Sequence, residues 1–436
     1  MSKLKVILKL AMPIVVNLLL LTTIQFTDLY VVSKFGVDAV TGVGIVQSVW
    51  GILFSLTIVF SSGGKVLLTR YVGQKSYKKA SLVISSLLIV ALGTSVLFIA
   101  LFAVMPKMIL WYMGVDGKVM EYTLEFGYIL LLDIPFILIN TVIDTALHSY
   151  SNSKTPMYLA MVAAVLNVIL DFGLGLGYFG MPNMGVFGVA LSTVISYGVI
   201  AALHLYIYFA KKMPFIPTLR FRKNIFMRAF KVALPEVASR GINTISYLIF
   251  TTAVISLGSS YYAGFNITMK IMALGYMPII AFAAADSILI GQKIGEKNYE
   301  DAKEFIKIIA VINLAIMVTT AICFIVYADS LATVFSRDKE VIQIIVETII
   351  CFAIANIPFA IDATYTFALN GAGLTKKTFK INMITLWIFR IAPALYGIYV
   401  LGSYDWVLGT FLVQFIITAY LMYKEFQKDE WMSIKV

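Results

Sequence analysis

The segment LLTRYVGQKSYKKA at residues 67–80 recurs as LIGQKIGEKNYEDA at residues 289–302. The displacement of 222 positions holds along most of the chain. It matches Lys9, Ala11 and Pro13 with Lys231, Ala233 and Pro235, Gly36 and Gly42 with Gly258 and Gly264, Asp116 with Asp338, and Lys154 with Lys376. Apolar composition alone would not align glycine, proline and lysine over such a length. The sequence therefore predicts a duplicated fold, with a small compensated insertion because the IPF triplets at 134 and 357 lie 223 apart.

The composition places this duplicated fold in a membrane. Of the 436 residues, 60% are hydrophobic and 13% are charged, whereas soluble domains carry about 25% charged residues. Each crossing of a hydrocarbon core about 30 Å thick needs about 20 apolar residues. We predict an all-α polytopic membrane protein with twelve transmembrane helices, at 9–33, 42–68, 80–104, 121–149, 156–178, 185–210, 229–257, 262–290, 306–327, 341–370, 379–401 and 406–424.

The distribution of lysine and arginine orients these helices. Of the 34 basic residues, 25 fall in the termini and loops that share a side with the N-terminus. Cytoplasmic loops carry such an excess, so we expect a multi-pass protein of the plasma membrane with both termini in the cytoplasm. The formal charge of +11 then needs no nucleic-acid partner.

Six helices in each copy give both halves the same direction through the membrane. We predict an N-lobe at 1–212, a cytoplasmic linker at 213–228 and a C-lobe at 229–436. Parallel repeats of this kind are a transporter architecture, with the substrate site between or within the lobes.

Enzymatic function finds no support among the motifs. Gly63-Gly64-Lys65 lacks the other residues of a phosphate-binding loop, and the glycines of GLGLG at 173–177 follow a helix, not a strand. Cys323 and Cys351 with two histidines offer no zinc site. We expect no enzymatic activity and no cofactor beyond a coupling ion, with a small-molecule substrate, membrane lipid as the surroundings, and a monomer as the functional unit.

Four polar residues of the first half converge in the outer part of the membrane when depth is counted at 1.5 Å per residue. They are Asp28, Asn167, Asp171 and Thr193, and Asn167 lies one turn below Asp171 on the same helix face. Charges at this depth are expensive and mark functional sites. Hard oxygen ligands suit a small cation such as Na⁺, and two close carboxylates in low dielectric are also expected to hold a proton.

Helix 4 carries a second polar stripe, with Asp133, Asn140, Asp144 and His148. Asp133 lies deeper in the membrane and is the better candidate for substrate binding or coupling. Asp144 and His148 fall toward the cytoplasmic end, where a solvated or interhelix structural role competes with substrate contact. Asn140 and Asp144 are further candidates for substrate binding or coupling. His204 in helix 6 is interpreted as an ordinary interfacial residue.

The second half lacks counterparts of the acidic pair. At the 222 displacement Asp28 meets Phe250 and Asp171 meets Pro393. Its own candidates for substrate binding or coupling are Asp362 and Arg390, and a buried pair between these two would neutralise the arginine.

These segments resemble the multidrug and toxic compound extrusion (MATE) family. The resemblance rests on AMP at 11–13, DLYVVSKFG at 28–36, GQ at 73–74, NVILD at 167–171, GVFGVALST at 185–193 and GEKN at 295–298. It extends over essentially the whole chain, with twelve helices and a parallel duplication.

The resemblance implies a V-shaped pair of six-helix lobes that exports organic, often cationic or amphipathic compounds in exchange for H⁺ or Na⁺ by alternating access. It implies that Asp28, Asn167 and Asp171 form the cation site, with Thr193 nearby. Another branch of the family relies on an acidic residue in the body of helix 7, and this chain has none there beyond Glu236. Two alternatives stay open, a lipid-linked oligosaccharide flippase of the same superfamily and a membrane receptor or scaffold without transport activity.

The topology yields a direct test. Reporter tags after Val436 and near Lys223 should both read as cytoplasmic, and a tag near Asn183 should read as exterior. Accessibility of each tag to a membrane-impermeant reagent in intact cells measures this. A cytoplasmic reading at Asn183 would contradict the twelve-helix arrangement.

Overall fold

The computed structural model describes residues 2–104, 110 and 114–434, and Val436, one of the tag positions, lies outside them. Helices dominate the described residues, among which no β-strand occurs. We number the twelve long helices in chain order as α1 Lys3–Ser33, α2 37–73, α3 Tyr77–Val104, α4 Gly117–Ser149, α5 Lys154–Gly175, α6 Gly185–Phe209, α7 Lys223–Ile255, α8 Ser259–Glu296, α9 Tyr299–Val326, α10 339–371, α11 Thr375–Leu401 and α12 Tyr404–Phe426.

Nine helices within the described residues are long and apolar enough to cross a membrane. Helix α10 is a tenth if its halves Lys339–Ala355 and Ile357–Gly371, which meet at a 49° bend, form one crossing. Helix α2, interrupted by the wider π-helical turn Val59–Gly63, and helix α7 occupy the two remaining predicted spans. The prediction of an all-α, twelve-helix membrane fold is confirmed.

The contacts divide the chain into two compact units. One unit spans Pro13–Lys231. The other contains the chain from Val232 onward together with the first residues up to Met12, so that helix α1 begins in one unit and continues in the other. We call them the first and the second unit.

The glycines that match between the two copies serve the same purpose in each unit. Gly36 and Gly258 follow α1 and α7 with φ of +99° and +137°, a backbone conformation that residues with a Cβ rarely adopt. A Cβ on Gly42 would lie 3.0 Å from the backbone nitrogen of Thr123, and one on Gly264 would lie 2.6 Å from Ile344. Thr123 lies in α4 and Ile344 in α10, so both glycines bring equivalent helix pairs together.

Helices α4 and α10 are interrupted at equivalent places. A tight turn at Leu131–Asp133 precedes Ile134 in α4, and the bend at Asn356 precedes Ile357 in α10. In both helices proline follows as the second residue of the IPF triplet. Proline has no N–H for the helical ladder and its ring crowds the preceding turn, which explains both interruptions.

Close packing of α8 and α10 gives a stability prediction. A Cβ on Gly371 of α10 would lie 2.5 Å from the carbonyl oxygen of Ser287 and 2.7 Å from its Cα, so backbone would have to move. Gly371→Ala should lower the free energy of unfolding by about 1–3 kcal/mol. Gly409→Ala in α12 is the matched control, because nothing lies within 4 Å of its added Cβ. Thermal unfolding in detergent measures both, and equal melting temperatures for the two variants would contradict the packing.

Candidate functional site

The first unit buries two carboxyl groups against each other. Asp28 of α1 is 7% exposed and Asp171 of α5 is fully buried. Their carboxyl groups lie within hydrogen-bonding range. Two ionised carboxylates supply no donor for such a bond, so the contact is stable only with a proton or another cation between them.

The local helix geometry positions Asp171. Helix α5 changes from α-helical to π-helical geometry over Asp171–Gly175. Single π-helical turns inside α-helices are rare and frequently accompany functional sites. Gly175 and Gly188 allow α5 and α6 to approach closely, because a Cβ on Gly188 would lie 2.3 Å from the carbonyl oxygen of Leu174.

Asn167 and Thr193 complete the predicted group. The Asn167 side-chain nitrogen lies 3.4 Å from Asp28 Oδ1, and it is also 3.4 Å from Ser192 Oγ and from Thr193 Oγ1. The structure thus brings together all four residues that the sequence placed at one depth.

Ser192 is a member of this group that the sequence analysis missed. Its hydroxyl is fully buried and donates a hydrogen bond to Asp171 Oδ1. The sequence did contain a signal for Ser192, because this residue directly precedes Thr193 on a helix already assigned to the site. Two neighbouring hydroxyls on α6 therefore contact the site.

Oxygen atoms without partners show what this site can bind. Asn167 Oδ1 and Asp171 Oδ2 are buried and have no hydrogen-bond partner in the structure. With Asp28 and the two hydroxyls they form a set of hard oxygen atoms, suited to a proton or a small cation such as Na⁺. No group of three or more His, Cys, Asp and Glu residues that could hold a metal occurs in the described part of the chain, so a transition-metal site is not indicated there.

Asp133 lies at the break in α4, close enough to Asp28 for their charges to interact. It is 2% exposed, and its Oδ1 has no hydrogen-bond partner. Asp133 is therefore a third buried acid in the first unit, adjacent to the acidic pair and not part of its hydrogen-bonded group.

The lower stripe of α4 is organised by His204, contrary to the interpretation of that residue as interfacial. His204 is 1% exposed, its Nδ1 lies 2.9 Å from Asn140 Oδ1, and its Nε2 lies 3.0 Å from Asp144 Oδ1. Asn140 also donates to the carbonyl oxygen of Tyr197 at 3.2 Å. Because the histidine comes from α6, no periodicity within α4 could reveal this bridge. His148 is not part of it and contacts Ser153 Oγ at 2.9 Å.

In the second unit, Asp362 and Arg390 line one cavity of about 400 Å³. Among the described residues no ion pair within 4.0 Å joins them. Asp362 Oδ1 accepts a hydrogen bond from Thr366 Oγ1 at 2.9 Å. The Arg390 guanidinium carbon lies over the Phe411 and Phe415 rings, 4.1 Å and 4.8 Å from their centroids. The two charges are close enough to interact, as the sequence allowed, but they do not form a contact ion pair, because the guanidinium stacks on aromatic rings.

Comparison with known proteins agrees with this architecture. The family model described as MatE matches residues 13–172 and, a second time, residues 235–395. The two matches begin 222 positions apart and end 223 apart, which agrees with the displacement found within the sequence.

Curated relatives align over most of the chain. A probable multidrug resistance protein NorM of Thermotoga maritima is 24% identical over 397 residues, covering 89% of this chain and 84% of that protein. A probable multidrug resistance protein YoeA of Bacillus subtilis is 23% identical, covering 95% and 91%.

Solved structures share the fold. A multidrug resistance MATE family transporter of the MOP superfamily in an outward-facing conformation matches with a TM-score of 0.90 at 20% identity, covering 99% of this chain and 96% of that one. Since the family model also matches well over half of the residues, the chain belongs to the MATE family of multi-pass membrane transporters, and it is not an enzyme.

Proposed function

We propose that this protein is a secondary active antiporter that exports small amphipathic organic compounds in exchange for H⁺ or Na⁺. The observation that carries the proposal is the buried contact between Asp28 and Asp171, which needs a cation to be stable. The names of its relatives, multidrug resistance proteins, support export of small organic molecules.

The charge of the buried acid pair can couple the inward flux of the cation to the outward flux of the organic compound. With a cation bound, part of the negative charge is neutralised and the pair can remain away from water. Without a cation, two carboxylates in low dielectric repel each other and require hydration or a positively charged group. Release of the cation therefore favours a different arrangement of α1 and α5. A transporter that alternates its access needs such a dependence on occupancy.

A proton is the coupling ion that the contacts favour. The carboxyl groups of Asp28 and Asp171 lie within range of a direct hydrogen bond, which one shared proton would satisfy. Sodium would instead need several oxygen ligands around it, including the unpartnered Asn167 Oδ1.

The driving force is sufficient for useful export. One positive charge that crosses a potential of 100 mV releases about 2.3 kcal/mol. By itself this sustains a roughly fifty-fold concentration gradient of an uncharged compound, since about 1.4 kcal/mol corresponds to a factor of ten.

Neutralising either acid should uncouple transport. In proteoliposomes, Asp28→Asn and Asp171→Asn should each lower gradient-driven efflux of a fluorescent organic compound by at least about ten-fold, because shape is retained and the cation can no longer be held. Efflux is measured under an imposed pH gradient and, separately, under a Na⁺ gradient.

Asp38→Asn is the matched control for these variants. Asp38 lies exposed at the start of α2 in the same unit, so its loss should leave efflux near the level of the unmodified protein. Normal gradient-driven efflux by both Asp28→Asn and Asp171→Asn would place the coupling site elsewhere, with Asp133 and Asp362 as the next acids to examine.

Asn167→Ala distinguishes the two ions. If H⁺ is the coupling ion, the variant should retain most of its efflux under a pH gradient, because the two carboxyl groups remain. If Na⁺ is the coupling ion, efflux under a Na⁺ gradient should fall several-fold, because a ligand is lost. The efflux rate at several Na⁺ concentrations measures this, and a large loss of proton-driven efflux would contradict the preference for H⁺.

A further inference from the structure

The internal repeat assigns a counterpart in the second unit to each main residue of the cation site. The displacement is 222 at α1, where Pro13 matches Pro235, and again at Lys154 and Lys376, whereas the family matches end 223 apart, at 172 and 395. Asp28 therefore corresponds to Phe250. Between these registers Asn167 corresponds to Phe389 or Arg390, and Asp171 corresponds to Pro393 or Ala394.

The counterparts belong to the 400 Å³ cavity of the second unit. Phe250 and Arg390 both line it. Phe250 is connected to the arginine through Phe411, whose ring lies 5.4 Å from that of Phe250 and directly below the guanidinium. The second unit thus places a phenylalanine at the counterpart of Asp28 and an arginine within one residue of the counterpart of Asn167.

Arg390 is a cation without an anion at contact distance. Its Nε has no hydrogen-bond partner, and no carboxylate among the described residues lies within 4.0 Å of its guanidinium. Asp362, the acid that shares the cavity, accepts from Thr366 instead. Asp362 is close enough for its charge to interact with that of Arg390, and arginine keeps its proton under ordinary conditions. The half-buried guanidinium would still gain from an anion in direct contact with it.

Local structure brings Arg390 to the cavity. The residue lies in the π-helical turn Trp387–Ile391 of α11. It rests on two phenylalanine rings, an arrangement that holds a guanidinium plane while leaving its donors available. Like Asp171 in the first unit, it occupies a place where the helix departs from α-geometry.

Nine of the twenty residues that line the cavity are aromatic, and several of their rings pack against one another. Phe352 and Phe411 have ring centroids 4.7 Å apart, and Phe250 and Phe265 have centroids 5.1 Å apart. Phe359 contacts Phe415 at 5.4 Å. Aromatic pairs in this distance range stabilise each other and present flat apolar faces.

Polar atoms on these walls are also unsatisfied. Gln414 and Ser246 line the cavity, and Gln414 Oε1 and Ser246 Oγ have no hydrogen-bond partner among the described residues. A volume of 300–1,000 Å³ with mainly apolar walls and a few polar groups is typical of small-molecule sites.

We propose that this cavity binds an aromatic compound that carries one anionic group, with the carboxylate on Arg390 and the ring system among the phenylalanines. The site has the opposite polarity to the cation site at the equivalent place in the first unit. Arginine and carboxylate form paired charge-assisted hydrogen bonds, which are about twice as strong as neutral ones. That the compound bound here is exported rests on the proposed function. The cavity narrows the exported class from amphipathic compounds in general to those that carry an anionic group.

Three naphthalene derivatives of similar shape and different charge test whether the cavity selects an anion. Isothermal titration of the purified full-length protein should show 2-naphthoate binding more tightly than the neutral 2-naphthamide and the cationic 2-naphthylmethylammonium. Arg390→Gln should weaken naphthoate at least about ten-fold and change naphthamide little, because only the charge-assisted bonds are lost. Arg390→Lys should restore part of the affinity, and Asp362→Asn should leave naphthoate binding equal or tighter.

Controls separate this proposal from misfolding and from the coupling mechanism. Arg337→Gln removes an exposed arginine of the same unit and should bind naphthoate normally, and all variants are compared by thermal unfolding. Because the titration uses no gradient, its outcome does not depend on whether the protein is a coupled exporter.

Three results would overturn the proposal. They are tighter binding of the ammonium probe than of naphthoate, unchanged naphthoate affinity in a folded Arg390→Gln variant, and no binding of any probe at millimolar concentration.

Discussion

In the hydrocarbon of a bilayer no water can satisfy a free backbone N–H or C=O, so each membrane crossing must be helical over its length. The described crossings obey this constraint, and they depart from regular α-helix only at particular positions. Asp133 lies in a tight turn of α4, Asp171 opens a π-helical turn of α5, and Arg390 lies in a π-helical turn of α11. Three of the ionisable residues of interest thus occur where a helix departs from regular α-geometry, whereas Asp28 and Asp362 lie within regular α-helix.

The two units show what a duplicated backbone retains and what it changes. The glycines at 36 and 258 end equivalent helices, and those at 42 and 264 allow equivalent helix contacts. The site residues follow no such requirement. The acid of α1 is replaced by Phe250, and an arginine lies within one residue of the counterpart of the α5 amide. A pocket between helices tolerates such new side chains as long as the helices still pack.

Much of this fold could be predicted from the sequence because its signals are local. Apolar stretches mark the helices, and glycine and proline mark their ends and interruptions. Four residues of the cation site were also predictable, since a carboxylate deep in an apolar helix needs partners at the same depth. Ser192 escaped because a serine in a membrane helix commonly bonds its own backbone.

Contacts between helices were beyond the reach of the sequence. The bridge from His204 to Asn140 and Asp144 depends on how α6 rotates against α4. The position of Arg390 over Phe411 and Phe415, away from Asp362, depends on side-chain conformations and on the faces of α11 and α12 that meet.

The arginine in the second unit has an electrical consequence for the exchange cycle. Exchange of an organic monocation for one proton transfers no net charge, so the membrane voltage neither helps nor opposes it. An organic monoanion that leaves while a proton enters transfers two positive charges inward. At 100 mV, negative inside, such a cycle gains about 4.6 kcal/mol from the voltage alone, twice the value for a single charge. The charge of the Arg390 side chain thus bears on whether exchange is electroneutral or electrogenic.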